Sequence, residues 1–187
     1  LLTLTLSISL FYLTPDEKRS FGLPTRSPSF RALEQCDKSV GGIELARVVI
    51  EWSDNEITAE GPPSDLVEIV RQVERAISRE PLLRHPLSIN QILKALPSGE
   101  QSSNSLEMLN LLPSALRDSI YREDLRRTMV SVRFQDVGIA IYEPVFERLR
   151  TTFDQLQHQY PGIKIGLTGE TVVRSRKIVQ VVSDLQK

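Results

Sequence analysis

The chain has 187 residues, 40% of them hydrophobic and 25% charged, and a formal net charge of −1. That is ordinary for one globular domain, with enough apolar material for a core. The near-neutral charge argues against a general nucleic-acid binder, which is as a rule basic. The single cysteine, Cys36, excludes an internal disulfide and lacks the partners of a zinc site. No stretch reaches the roughly 20 apolar residues that cross a bilayer.

Leu2, Leu4, Leu6, Ile8 and Leu10 alternate with Thr3, Thr5, Ser7 and Ser9. Strict alternation is the pattern of a half-buried strand. Leu1 to Leu13 also carries no charge and is followed by Pro15-Asp16-Glu17-Lys18-Arg19, as the outer end of a membrane helix would be. Both readings stay open. Thr14 to Ser27, with Pro15, Gly22 and Pro24, has the composition of a connector. Residues 1–27 therefore divide off as an N-terminal strand or linker, and 28–187 as the folded domain.

Ser27-Pro28 opens a helix, with Ser27 as its cap and Pro28 in its first position. Phe30, Leu33 and Val40 give it a sparse apolar stripe, and Cys36 reads as a half-buried small hydrophobe on it. Gly41-Gly42 stops it, because glycine accepts the left-handed backbone past a helix end. A positive φ is expected at one of the two. Ile43 to Trp52 is the first strand, with Val48, Ile50 and Trp52 on one face. Residues 53–56 read as a turn and 57–60 as a brief return strand. From Ser64 to Arg79 the apolar residues Leu66, Ile69, Val70, Val73 and Ile77 give a clean amphipathic helix.

Leu82 to His85 reads as a short strand. Ser88 caps a small helix with Ile89, Ile92, Leu93 and Leu96. Residues 97–105 read as a loop. Leu106 to Leu112 and Ser114 to Arg122 read as a helix pair broken by Pro113. The block at about 88–125 is too long for a simple loop and too apolar for a linker, so it is a helical insertion. Thr128 to Phe134 is the next strand. A helix follows at about Ile141 to Gln159, with Tyr142, Val145, Phe146, Leu149, Phe153, Leu156 and Tyr160 on one face. Ile163 to Thr168 alternates as a strand. After Thr168-Gly169-Glu170 comes a last helix, with Val173, Ile178, Val181, Val182 and Leu185 as its apolar side.

Strand, helix, strand thus occurs twice. The expected fold is α+β: a split-βαβ, ferredoxin-like sandwich with helices on one face of an antiparallel sheet, the two long helices together. Trp52 and Phe134 are expected in the core.

No catalytic constellation emerges. His85 lies beside Pro86 and His158 on a polar helix side, both solvated roles. The carboxylates are spread over helix faces. Gly41-Gly42 and Gly166-Leu167-Thr168-Gly169 lack the register of a phosphate loop; Gly41, Gly42, Thr168 and Gly169 read as structural turns. No enzyme activity, metal or organic cofactor is expected.

The order of these motifs resembles a known family. Arg31-Ala32-Leu33-Glu34, Asp37, Val40-Gly41-Gly42-Ile43-Glu44 and Val48-Val49-Ile50-Glu51 resemble the start of the extracytoplasmic loop in RND-superfamily exporters, nearest the MMPL and hopanoid-exporter-like branch. Pro62-Pro63, the helix to Ile77 and Pro81 continue the pattern. Tyr160-Pro161-Gly162 to Leu167-Thr168-Gly169-Glu170 resembles the family's last loop strand, and Arg174 to Lys187 its helix toward the next span. The resemblance covers about Ser27 to Lys187. It implies a porter domain on the periplasmic side of the inner membrane, within a proton-driven transporter of lipids or other hydrophobic molecules, and makes the N-terminal strand or linker at 1–27 membrane-proximal. The implied partners are the membrane-spanning helices of the same polypeptide and a lipid-like substrate, with a homo-oligomer left open and no nucleic acid. The family's proton-relay carboxylates lie in membrane helices, so no residue here takes that role. The rival readings are a soluble ferredoxin-like ligand-binding or regulatory module and, further off, a small α+β enzyme.

Overall fold

The computed structural model describes residues 18–53, 62–96 and 105–185. Leu1 to Leu13, the return strand at 57–60 and most of the loop at 97–105 lie outside them. After a 3-10 turn at Arg19–Gly22, helix α1 spans Pro28–Ser39. Strand β1 is Glu44–Trp52 and helix α2 is Leu66–Ser78. Strand β2 is Arg84–Leu87, helix α3 is Ile89–Ala95 and a 3-10 helix covers Ser105–Leu111. Helix α4 is Ser114–Ile120, strand β3 is Tyr121–Arg122 and strand β4 is Arg127–Phe134. Helix α5 is Ile139–Gln159, strand β5 is Ile163–Thr168 and helix α6 is Glu170–Leu185.

The architecture is α+β, an open antiparallel sheet of five strands with helices. The strands run β2-β4-β1-β5, and β3 pairs with the far end of β4. Helix α2 links β1 to β2 with β4 between them, and α5 links β4 to β5 with β1 between them. Every neighbouring pair is antiparallel.

Period-two alternation decides which face is covered. Ala46, Val48, Ile50 and Trp52 of β1, Val130, Val132 and Phe134 of β4, and Ile163 and Ile165 of β5 are buried. Against them pack Leu66, Ile69, Val70, Val73 and Ile77 of α2, and Tyr142, Val145, Phe146, Leu149, Phe153 and Leu156 of α5, all buried in the same cluster. Both helix stripes thus bury as their spacing dictates, each side chain contributing roughly 1.5–3 kcal/mol.

The insertion is tied to α2 by a buried carboxylate. Glu74, 7% exposed, accepts hydrogen bonds from Ser88 Oγ, from Asn90 Nδ2 at 3.2 Å and from Gln91 Nε2 at 3.4 Å. Ser88 also caps α3, accepting from the amides of Asn90 and Gln91. A carboxylate here is tolerable because several donors replace its water.

Four expectations are corrected. The helix expected to reach Arg122 ends at Ile120, and Tyr121–Arg122 is a strand in a hairpin with β4, pairing Tyr121 with Thr128 and Arg122 with Arg127. Thr128 Oγ1 donates to the Ile120 carbonyl at 2.9 Å, which fixes that switch. Helix α1 buries no residue; Val40 is 46% exposed and Cys36 is exposed. Its stripe was too sparse to bury, with polar Glu34 and Asp37 between the apolar positions. The short strand is Arg84–Leu87 rather than Leu82 to His85, because Leu83 turns into the core at 6% exposure while Leu82 stays out. Helix α6 faces the sheet with Thr171, Val172 and Ser175, all buried, while Val173 and Val181 are 42% and 58% exposed. The side chains of Val182 and Leu185 lie outside those described.

Candidate functional site

The first residue of β1, the last of β4 and β5, and the first of β2 all lie at one end of the sheet, as the pairings of Glu44 with Phe134, Arg47 with Thr168 and Arg84 with Arg133 require. Gly41, Gly42, Thr168 and Gly169 are all at this end. Gly41 and Gly42 have φ of 75° and 129°, and Gly169 has 135°, so the left-handed backbone foreseen for one of the pair holds for both. At Gly42 a Cβ would land on the backbone of Phe134, 2.7 Å from its Cα. At Gly169 it would come within 2.8 Å of the Leu45 carbonyl oxygen. Both glycines let one backbone cross another at contact distance. Thr168 is exposed at the end of β5, beside Arg47.

Beneath α1 at this end is a cleft of about 270 Å³. Phe30, Leu33, Ile43 and Val137 supply its apolar lining. Two of its carboxylates are structural ties: Asp37 accepts from the amides of Ile43 at 3.0 Å and Asp136 at 3.2 Å, and Asp136 accepts from the Ser20 amide at 2.9 Å. These bonds, with the Ser27 cap on the Phe30 amide at 3.1 Å, hold α1 in place of buried apolar area.

Helix α6 is also seated by polar groups. Thr171 Oγ1 donates to the buried Glu44, and Ser175 Oγ to Glu143 of α5. Arg174 lies 3.7 Å from Glu44. Among the described side chains of this helix the buried ones fall in its first half, and Val181 near its end is exposed.

Between these groups stands Tyr142, whose hydroxyl donates to the Gln135 carbonyl at 2.9 Å. Burial pushes its pKa up to about 12, with Asp37, Asp136 and Glu44 adding to the rise and the Gln135 bond opposing it. A phenol whose folded pKa exceeds its ordinary value of about 10 stabilises the fold fully below pH 10. That contribution is lost as pH climbs toward 12. Urea midpoints measured from pH 9 to 12 should therefore fall, and Tyr142→Phe should flatten part of that fall. Tyr121, likewise pushed to about 12 by burial and then by Glu123, contributes in the same direction.

The sheet face away from the helices carries Leu45, Arg47, Val49 and Glu51 of β1, Arg127, Met129, Ser131 and Arg133 of β4, and Lys164, Gly166 and Thr168 of β5. Arg84 and Leu87 of β2 join it through their pairing with Arg133 and Ser131. The face thus holds Arg47, Arg84, Arg122, Arg127, Arg133 and Lys164 against Glu51, in a chain of net charge −1. Alternation within one strand puts Arg47 with Glu51, and the pairing of β1 with β4 adds Arg133 to their face. Only the register brings Arg84 opposite Arg133.

His85 and His158 are both exposed and lie on different elements, β2 and α5. His85 has φ of 52°, and its ring lies where a Gly41 side chain would be. Among the described residues, no group of three His, Cys, Asp or Glu side chains is placed to hold a metal. Among them, too, no helix is long and apolar enough to cross a membrane. No protein-family model matches the chain, and no curated protein matches it.

Proposed function

We propose that this chain is the extracytoplasmic porter domain of an RND-type exporter of the MMPL and hopanoid-exporter-like branch, and that its sheet is of the ferredoxin-like porter type. The observation that carries this reading is that the chain enters and leaves the sandwich at one end. Helix α1 delivers it to β1 through Gly41-Gly42, and β5 hands it to α6 through Gly169. A domain inserted between two membrane spans needs its two connections close together. The strand order, with each helix crossing over one strand of the other unit, also supports it. In this reading the domain does no covalent chemistry. It guides a hydrophobic or lipid-like substrate while the membrane helices of the same polypeptide use the proton gradient. Helix α6, seated through Thr171 and Ser175, conveys displacement between sandwich and span.

The exposed Cys36 provides the test. In the parent polypeptide, with any other cysteines replaced by serine, a membrane-impermeant maleimide should label Cys36 in intact spheroplasts, and the protein should fractionate with the inner membrane. A flexible Gly-Ser insert after Leu185 should then lower export at unchanged labelling. Labelling that appears only after lysis would overturn the reading.

A further inference from the structure

The sheet face away from the described helices differs in charge between its two ends. At the end of β1 marked by Glu51, carboxylates stand among the cations. Glu51 is the direct cross-strand neighbour of both Arg127 and Lys164, and Arg122, opposite Arg127, is held by Asp124 at 2.7 and 2.8 Å. At the glycine end no carboxylate is paired into the rows of this face. Arg84 and Arg133 stand directly opposite each other on adjacent strands, and Arg47 is on the next row of the same face, beside Ser131 and Thr168. All three arginines are exposed. Among the described residues none of the three is in an ion pair, and Arg133 donates only to the Gly42 carbonyl, at 3.4 Å. The carboxylates near this corner are already engaged: Glu80 pairs with Arg148, the buried Glu44 accepts from Thr171, and Asp37 and Asp136 serve backbone amides.

Like charges directly opposite on a sheet destabilise it. A dianion between the two guanidiniums would turn that repulsion into paired, charge-assisted hydrogen bonds, for which the guanidinium fork is well shaped. The same face also has an apolar strip. Leu45 neighbours Arg133, Val49 is opposite Met129, and Leu87 is 43% exposed opposite Ser131. At about 3.3 Å per residue, the Val49 row lies roughly 13 Å from the Arg133 row. No aromatic side chain among the described residues lies on this face, so it offers no platform for stacking bases.

We infer that the corner formed by Arg47, Arg84 and Arg133 binds the phosphate monoester head of a single-chain amphiphile, whose apolar tail lies along Leu45, Leu87, Val49 and Met129. The inference stands on this face and its register, and not on the export reading. Binding to the isolated chain tests it, whatever the location of the parent protein.

The probe is dodecyl phosphate, titrated calorimetrically into the 187-residue chain below the micellar concentration and at low salt. It should bind saturably. Dodecylphosphocholine, which has the same tail but no net charge, should bind at least tenfold more weakly, and inorganic phosphate at least tenfold more weakly again. Arg84→Gln and Arg133→Gln should each weaken dodecyl phosphate about tenfold or more, whereas Lys164→Gln, at the far end beside Glu51, should change it less than twofold. Arg84→Gln removes a like-charge pair and should melt no lower than the parent chain; if it does melt lower, Arg47→Gln supplies the same binding readout. No saturable binding of dodecyl phosphate overturns the inference, as does equal affinity for dodecylphosphocholine. So does an Arg84-dependent single-stranded oligonucleotide that binds more tightly than dodecyl phosphate.

Discussion

Phe146→Ala should cost about 3–5 kcal/mol of stability, the range for truncating a large buried aromatic. Phe146 is fully buried. Its ring meets Phe134 edge-on at 5.9 Å and stacks near Tyr142 at 6.1 Å, and Phe134 and Tyr142 are themselves 4.6 Å apart. This trio joins the first turns of α5 to the end of β4, so the void has rigid walls of strand and helix and cannot easily collapse. Equilibrium urea unfolding of the 187-residue chain measures the loss. Val49→Ala is the comparison, because Val49 is half-buried on the face away from the described helices and should cost about 1 kcal/mol or less. If both variants lost the same stability, the assignment of covered and open faces would be wrong.

Gly42→Ala should be nearly as damaging, for a different reason. The backbone at Gly42 has φ of 129°, a region that L side chains rarely occupy, and the added methyl would press on the Phe134 backbone. Strain at such positions costs about 1–3 kcal/mol, and here a backbone neighbour must also shift. A loss of at least about 2 kcal/mol is expected. Gly166→Ala provides the contrast: it meets nothing within 4 Å, at a residue that does not need positive φ. That variant should be neutral, or slightly more stable because the unfolded chain loses freedom. Similar midpoints for the two variants would remove the claim that α1 and β1 are joined by an obligatory close crossing.

The long elements could be read from the sequence because their side-chain spacing and their burial have the same cause. Leu66 to Ile77 repeats at helical spacing and is buried, and Val130, Val132 and Phe134 alternate and are buried. The errors lie where spacing was short or mixed. Tyr121 and Arg122 continue a helix-like run but are captured by β4 through cross-strand pairing, which no local pattern records. Val172 and Val173 are adjacent valines at the start of α6, and the polar Thr171 and Ser175 decided which faced inward, through bonds to Glu44 and Glu143. Buried hydroxyls and carboxylates look like surface residues in a sequence. The glycine turns were legible, since two adjacent glycines after a capped helix have few other uses. The arginine corner was not, because Arg47, Arg84 and Arg133 come from three strands and meet only through register.

The interleaved strand order also bears on how the chain is made. The neighbours of β1 are β4 and β5, and its earliest pairing partners, Arg127 to Phe134, follow the end of β1 by about 80 residues. At roughly 5–20 residues per second, ribosomes need about 4–16 seconds to reach them. Throughout that interval Val48-Val49-Ile50 sits in a nascent chain with both hydrogen-bonding edges vacant, the condition in which strands recruit the wrong partner. Slow decoding of the 88–125 insertion would lengthen the exposure and should raise the yield of aggregated chains. A trigger-factor-like holdase acting on β1 would shorten it.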